Sequence, residues 1–599
     1  MSVGMSITRP LRRGMILLVF ASMFATDYWR CVPIDLEWLR RWRDEVVAAF
    51  ASEDMRQLEL TFLTLYLIGL LFWLYFLRRR LVGDEHSNGQ AHRSEPHKVR
   101  QTPENSEDAK GGIENRLLLC ASRLGNLFCS KDAWLRTACL AGFCVCTLGA
   151  YFLGEAKGRE SNDLVVCFWG LVVGQGFLLV MTLPRATERA LEFQEDVLNS
   201  LALLLTIAAL VQPNWWQPHY QYRGHLRWQG LWWNPNTFGI LMALGIILAV
   251  GLVVYRSGST ARGRSLRWRN QEQEVVVRNP MFEVKCLGTR LGYWFRRALL
   301  LIAVAMMAVG LMRSYSRAAW AGILLGLAYL AWHSRILLDD GRASQVPGDP
   351  DTQSGNGEPF VIRSLRLTTS LAGALRNRFA LAAIMGAIVV LVFWNCRDTE
   401  SPVVRRAFSV GNMNDLSWRN RLVAYEGALQ MMATKPWFGF GWNQAEETYD
   451  KLFKPSKVVE PNAIVLNDYF MIGMTLGLPA LACFVGYVSL SLRPKSRNRK
   501  PGAMGLEREY GRPKLEDQRR EAGLIQRGKW LRVVCRAGVV VLLVAFWLQR
   551  GVFFLALGVP FWVLLELGME EDPIRRRQEW IRDELGDSSL RKYKGEVCS

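Results

Sequence analysis

Leu60-Thr-Phe-Leu-Thr-Leu-Tyr-Leu-Ile-Gly-Leu-Leu-Phe-Trp-Leu-Tyr-Phe-Leu77, followed at once by Arg78-Arg79-Arg80, is the stretch on which the fold turns. About 20 apolar residues in a helix cross roughly 30 Å of hydrocarbon. A run of cations at one end marks the side of the membrane that keeps positive charge. Blocks of the same kind recur at 133–154, 163–183, 197–212, 234–255, 297–313, 318–336, 378–395 and 464–490. The apolar stretch 533–567 would be roughly 50 Å long as one helix, so Gln549-Arg550-Gly551 in its middle reads as the turn of a hairpin. The block 15–29 follows Arg9, Arg12 and Arg13 and fits a signal anchor or a cleaved signal peptide; the lack of a clear small-x-small site after it favours the anchor. The sum is about twelve spans, and the expectation is an all-α fold, a polytopic transmembrane helix bundle with a large outside loop that contains short helices. Three regions follow: N-terminal spans over 1–194 with a linker around 78–132, a core over 195–490 that includes the loop 396–463, and a basic loop, a hairpin and a tail over 491–599.

Composition agrees with that reading once its distribution is considered. The 599 residues include 74 Lys+Arg against 54 Asp+Glu, a net charge of +20, and half are hydrophobic, with 23 Trp. Such a chain is not a largely disordered one, and its 12 Cys are too dilute for a disulfide scaffold. The mean hydropathy of +0.07 averages apolar spans with polar loops. Loop 256–296 carries Arg256, Arg262, Arg264, Arg267, Arg269, Arg278, Lys285, Arg290 and Arg296 against Glu272, Glu274 and Glu283, and loop 492–532 opens with Arg493, Lys495, Arg497, Arg499 and Lys500. Loop 396–463, on the other side, is near neutral. This asymmetry places the basic loops and both termini in the cytoplasm and removes nucleic acid as a partner. Arg40, Arg41 and Arg43 are exceptions on the outside, on an interfacial helix or because the first span is miscounted. The stretches 83–112 and 339–358 read as linkers. No metal-ligand spacing and no phosphate-cradling Gly-rich loop with Lys occurs, so no metal and no cofactor is expected.

Three local sequences fall together on the outer face. The first runs from Pro213 to Asn236 and contains Arg223, Arg227, Trp232, Trp233 and Asn234-Pro235-Asn236. Asn before Pro suits an N-cap with Pro in the first helical turn; an outward helix N-terminus favours anions, and Arg matches phosphate oxygens. An aromatic belt with flanking cations is the plainer alternative for the aromatic residues. The second is Arg313-Ser-Tyr-Ser-Arg-Ala-Ala-Trp-Ala-Gly322, a tight turn that leaves Arg317 at the start of the next span. A cation opposes the dipole there, and within the bilayer an Arg costs roughly 2.5 to 3.5 kcal/mol on insertion scales. An anionic partner or snorkelling to the headgroups accounts for it. The third holds Trp418-Arg419-Asn420-Arg421, Leu422, Tyr425, Leu429 and Met432 at helical spacing, then Lys435-Pro-Trp-Phe-Gly-Phe-Gly-Trp442 as a break, and Asn467-Asp468-Tyr-Phe470 entering the next span. Packing alone is the alternative reading of this segment.

In combination, the Arg-containing loop before Asn234-Pro235-Asn236, Ser316-Arg317-Ala-Ala-Trp320, Arg421 with Ala428-Leu-Gln-Met431, Lys435-Pro-x-x-Gly-x-Gly441, and Asn467-Asp-Tyr-Phe470 with Gly477-Leu-Pro-Ala480 resemble the O-antigen ligase and O-antigen polymerase superfamily of bacterial inner-membrane proteins, over about 195–490. The resemblance implies a periplasmic membrane glycosyltransferase that uses undecaprenyl-diphosphate-linked glycan, with lipid A core or a growing chain as acceptor and neither metal nor nucleotide. It carries the leaving-group role onto Arg227, with Arg223 as a second candidate, and onto Arg317. Trp232, Trp233, Asn234 and Asn236, with Arg419, Arg421 and Asn467, are the candidate substrate-binding residues around them. Many members have His-Asn where this chain has Leu466-Asn467, and Leu cannot accept a proton; Asp468, Glu460, His219 or His225 are the groups left for that role. A non-catalytic glycan- or lipid-binding paralogue, or a transporter of anions or glycans, remains the alternative.

Overall fold

The computed structural model describes residues 12–20, 23, 131–153, 162–182, 187–215, 221–222, 224–232, 234–271, 298–343, 416–442, 444–455, 467–493 and 515–569. The sequence blocks 60–77 and 378–395, the linker 83–112, residues 344–358 of the second linker, and residues 396–415, 443 and 456–463 of the long loop lie outside them. The described helices are α1 (12–20), α2 (Lys131–Leu153), α3 (Asn162–Thr182), α4 (Thr187–Trp215), α5 (Pro235–Gln271), α6 (Ala298–Ser314), α7 (Arg317–Ala343), α8 (Leu416–Thr434), α9 (Ala445–Thr448), α10 (Asp468–Leu476), α11 (Leu478–Leu492), α12 (Leu515–Leu548) and α13 (Leu555–Leu567). Among the described residues the only strands are β1 (Gln221–Tyr222) and β2 (His225–Leu226), an antiparallel pair.

The all-α expectation holds for these residues. Four helices are long and apolar enough to cross a membrane, and shorter apolar helices accompany them. Helix α5 is the axis, for its window Pro235–Val254 is 94% buried, whereas the window Trp134–Tyr151 of α2 is 17% buried and belongs to the periphery. Helices α4, α7 and α12 pack on α5, α13 packs on α3, and α11 packs on α2. Leu203, Ile207 and Leu210 of α4 recur at helical spacing and stay exposed, the outward apolar stripe that lipid would cover.

The stretch 464–490, expected as one span, is two helices. Gly477 between α10 and α11 has φ +92°, a conformation costly for residues with a Cβ, and Pro479 follows in the first turn of α11. The loop after α8 enters the break. Phe440 N donates to Met474 O at 2.8 Å, Gly441 N to Thr475 O at 3.0 Å, and Leu478 N to Pro436 O at 2.7 Å. Thus the last carbonyls of α10, which have no partner in their own helix, take amides from a loop instead. Non-helical backbone inside a bundle is tolerated where protein satisfies it in this way.

One end of the bundle is closed by ion pairs and polar contacts. Asp196 of α4 accepts from Arg12 and, at 2.9 Å, from Arg13 Nε; Glu195 pairs with Arg527; and Arg536 Nε donates to Gly568 O at 2.8 Å. The described residues between Gln221 and Asn236, the Arg313–Arg317 turn, the start of α10 and the α12–α13 turn collect at the other end.

Candidate functional site

At that second end the polar side chains named below join these four segments of the described residues. Helix α6 stops at Ser314 because Tyr315 takes φ 50°, a left-handed conformation that costs a non-glycine residue about 1 kcal/mol or more. The carbonyls freed by this stop are accounted for: Trp228 N donates to Arg313 O at 3.0 Å, and Arg227 Nε donates to Ser314 O at 2.9 Å. A guanidinium on a helix C-terminus is favourable on both hydrogen-bond and dipole grounds. Arg227 is therefore held by the turn that leads into Arg317.

Arg317 is the first residue of α7, half-buried, with no acidic residue in that first turn. Ser316 Oγ accepts from Ala319 N at 3.4 Å, the cap of this helix. The N-terminus of α5 lies alongside. Asn234 Oδ1 accepts from Asn236 N at 2.9 Å and Thr237 N at 3.3 Å, so the cap expected from Asn-Pro is present. Asn236 is committed on both sides of its carboxamide: Oδ1 accepts from Arg227 Nη2 at 2.9 Å, and Nδ2 donates to Gln549 Oε1 at 3.2 Å. Two donors of Arg227 are thereby anchored and the plane of its fork is set. Asn234 and Asn236 act in the structure as a cap and a bridge.

The Gln549 contact brings in the α12–α13 turn, which the sequence resemblance did not cover. Arg550 lies there with its guanidinium 5.9 Å and 5.3 Å from the ring centres of Phe553 and Phe554, within cation–π range. The same turn is gripped by Asp468. This first residue of α10 is fully buried, and its Oδ2 accepts from Gly551 N at 2.6 Å and Val552 N at 2.9 Å. Asn467, also buried, caps α10 by accepting from Tyr469 N and Phe470 N, and its Nδ2 donates to Trp547 O at 3.1 Å. Asn467 and Asp468 therefore fasten one reversal to another.

The remaining sequence-named residues divide. Trp232 is 1% exposed and donates from Nε1 to Met23 O at 2.9 Å, which makes it an anchor of the loop to the N-terminal segment. Tyr425 of α8 packs its ring on Phe470 at 4.9 Å and donates to Trp547 O at 3.3 Å. Arg421 is on the same helix face one turn earlier, while Arg419 is exposed and not on that face. His225 is exposed on β2. Arg223, Trp233, His219, Glu460 and Leu466 lie outside the described residues.

A carboxylate not singled out in the sequence stands beside this cluster. Glu446 is half-buried on α9, just after Trp442, whose indole meets Phe553 edge-on at 5.7 Å. Burial pushes the Glu446 carboxyl above the usual carboxylate range and Asp450 adds to this, while the Arg550 guanidinium opposes it. The polar triplet within an apolar stretch was the sequence signal for Arg550. Glu446, in a run with Glu447 and Asp450, had none.

Close approach of α5 to the Arg313–Arg317 turn needs Gly239, where a Cβ would fall 3.0 Å from both Ser314 Cβ and Ser316 Cβ and inside contact of Ser314 Oγ. Gly239→Ala is expected to push that turn away and separate Arg317 from Arg227, with a stability loss of about 1–3 kcal/mol from overpacking. Thermal unfolding of the purified variant checks this, and an unchanged midpoint would show that the turn accommodates the methyl group.

Arg227 is thus tied both to the turn that leads into Arg317 and to the N-terminus of α5, and Gln549, beside Arg550, reaches the same Asn236; guanidinium groups and helix N-termini are features suited to a polyanion. Among the described residues no group of His, Cys, Asp and Glu is placed to hold a metal. No curated protein matches the chain. The O-antigen ligase family model matches residues 302–485, a segment that contains Arg317, α8 and Asp468 but not Arg227 or Arg550. The motif resemblance and this match agree that residues 302–485 are similar to the O-antigen ligase domain, and the long apolar helices fit a membrane protein.

Proposed function

We propose that this protein is a membrane glycosyltransferase that acts on undecaprenyl-diphosphate-linked glycan at the periplasmic face of the bacterial inner membrane, in the manner of O-antigen ligases or polymerases. The observation that carries the reading is the anchored Arg227 beside the turn that presents Arg317. In the transfer, an acceptor hydroxyl oxygen attacks the anomeric carbon of the donor glycan, and the bond from that carbon to the phosphate oxygen breaks. Negative charge grows on the departing polyprenyl diphosphate, and preorganised guanidinium groups that meet it there lower the barrier. In this reading the full chain has about twelve spans, the basic loops and both termini lie in the cytoplasm, and the reversals at Arg227, Arg317, Asp468 and Arg550 share the outer surface. Asn234 caps α5 and Asn236 holds Arg227, and Arg421, Trp233 and Arg223 are the further candidates for binding the donor.

The test is the surface glycan of a deletion strain. Lost attachment of a polymer to lipid A core identifies a ligase, and shortened chains with attachment retained identify a polymerase. Unchanged glycans in a strain that normally expresses the protein would remove the reading.

A further inference from the structure

Two of the hydrogen bonds that hold Arg227 differ in what fixes them. Its Nε donates to Ser314 O at 2.9 Å, a backbone carbonyl at the end of α6 whose place the turn dictates. Its Nη2 donates to Asn236 Oδ1 at 2.9 Å, and that acceptor is one end of a side-chain carboxamide. The two ends of a carboxamide have nearly the same shape and opposite hydrogen-bonding character, so their partners decide which end points where. A guanidinium only donates. With the carboxamide of Asn236 turned over, Nδ2 would face Nη2, donor against donor, and Arg227 would lose this bond.

Gln549 decides the orientation. Its Oε1 accepts from Asn236 Nδ2 at 3.2 Å, which directs Oδ1 at Arg227. Gln549 is buried, and its own place is fixed from both sides. Just before it, Trp547 O accepts from Asn467 Nδ2 at 3.1 Å; just after it, Gly551 N and Val552 N donate to Asp468 Oδ2 at 2.6 Å and 2.9 Å. The contacts therefore run from the start of α10 through the α12–α13 turn to the start of α5, and they end on the Arg227 guanidinium. Gln549 lies beyond residues 302–485, and the motif resemblance gave it no role.

Resting on the function proposed above, we infer that Gln549 is a positioning residue for glycan transfer: through Asn236 it fixes the orientation in which Arg227 meets the charge that grows on the departing diphosphate. It acts on the guanidinium and takes no part in the bonds that form and break. Donors aimed in advance at developing charge stabilise a transition state only while their aim is kept, and a displacement of about 1 Å costs up to about 10²-fold in rate. One neutral hydrogen bond, by contrast, contributes little net to folding. Loss of the Gln549 acceptor therefore falls on the rate of transfer rather than on stability.

The experiment uses membranes of the deletion strain supplemented with the purified full-length protein, with lipid-linked glycan from that strain added over a range and rates expressed per molecule that binds undecaprenyl diphosphate. Gln549→Met, which keeps the length and loses the oxygen acceptor, and Asn236→Ala, which removes the bridge, are each expected to lower the rate at saturating donor about 10- to 10²-fold. The double variant matches the worse single variant within about twofold, because both act on one contact. Gln549→Glu keeps an acceptor for Nδ2; it retains most of the saturated rate but requires more donor to reach it, since its charge opposes the anion. In Asn236→Asp both side-chain oxygens accept, so Arg227 keeps its partner whichever way the group turns, and Gln549→Met in that background costs no more than about twofold. A merely structural role would give the same loss in either background. The wild-type rate in Gln549→Met, losses that multiply in the double variant, or a saturated rate in Gln549→Glu as low as in Asn236→Ala overturns this inference; with Arg227→Ala and Arg317→Ala inactive, the proposed function still stands. Should Gln549→Met fail to fold, the comparison of Gln549→Glu with Asn236→Ala decides. A wild-type protein that neither transfers nor binds undecaprenyl diphosphate overturns both.

Discussion

Replacing Arg317 by Ala lowers glycan transfer about 10²- to 10³-fold, the usual cost of removing one group that meets charge as it develops in a transition state. The expectation rests on where the residue stands. As the first residue of α7 it puts a positive charge at the positive end of a helix dipole, which is unfavourable by a few tenths of a kcal/mol up to about 1 kcal/mol. A diphosphate over the same helix end reverses the sign of the balance, because Arg317, the α7 amides and Arg227 then all face the anion. Arg317→Lys keeps the charge but loses the planar fork, and it should retain an intermediate rate. Initial rates in supplemented membranes, with thermal unfolding of each variant as control, decide the matter. Arg317→Ala transferring at the wild-type rate would place the residue among the headgroup contacts.

Asp468→Ala is expected to destabilise the protein by about 3 kcal/mol or more, since two buried hydrogen bonds to a charged acceptor are lost at once. The Gly551 and Val552 amides would then be left without their acceptor, and the turn bearing Gln549 and Arg550 would come away from α10. Because Gln549 also supports Asn236, and Asn236 supports Arg227, the loss reaches the arginine pair. Asp468→Asn keeps an oxygen acceptor for those amides, so both stability and transfer should lie between the wild type and Asp468→Ala. Thermal unfolding and transfer rate measured on the same samples check this. If Asp468→Asn melted like the wild type and still lost transfer as fully as a base variant, Asp468 would be the base after all.

Much of this was legible in the sequence. The helix starts at Pro235 and Arg317, the helix over 416–434 with its break at Pro436, and the α12–α13 reversal at Gln549-Arg550-Gly551 all follow from local rules: a cap before Pro, the spacing of apolar residues, and polar residues interrupting an apolar stretch too long for one span. The division of 464–490 at Gly477 was less accessible. The Gly-Leu-Pro signal was present, but a span of ordinary length and hydropathy concealed it, and the break is stable only because the amides of Phe440 and Gly441 reach the carbonyls of Met474 and Thr475. Those partners are more than thirty positions away in the chain.

What the sequence by itself determined, then, is a membrane-embedded helical protein with helices that begin at Pro235 and Arg317, for hydrophobic length, capping and charge asymmetry act over one or two turns of chain. Only the tertiary structure decided what those residues do to one another. Asn236 turned out to hold Arg227, Asn467 and Asp468 to fasten the α12–α13 turn, and Trp232 to anchor the loop to Met23. It also joined the α12–α13 turn to the N-terminus of α5, through the Gln549–Asn236 contact between segments far apart in sequence. The physical reason is that a buried polar group must find a partner wherever packing places one, and packing between distant helices has no signature in local sequence.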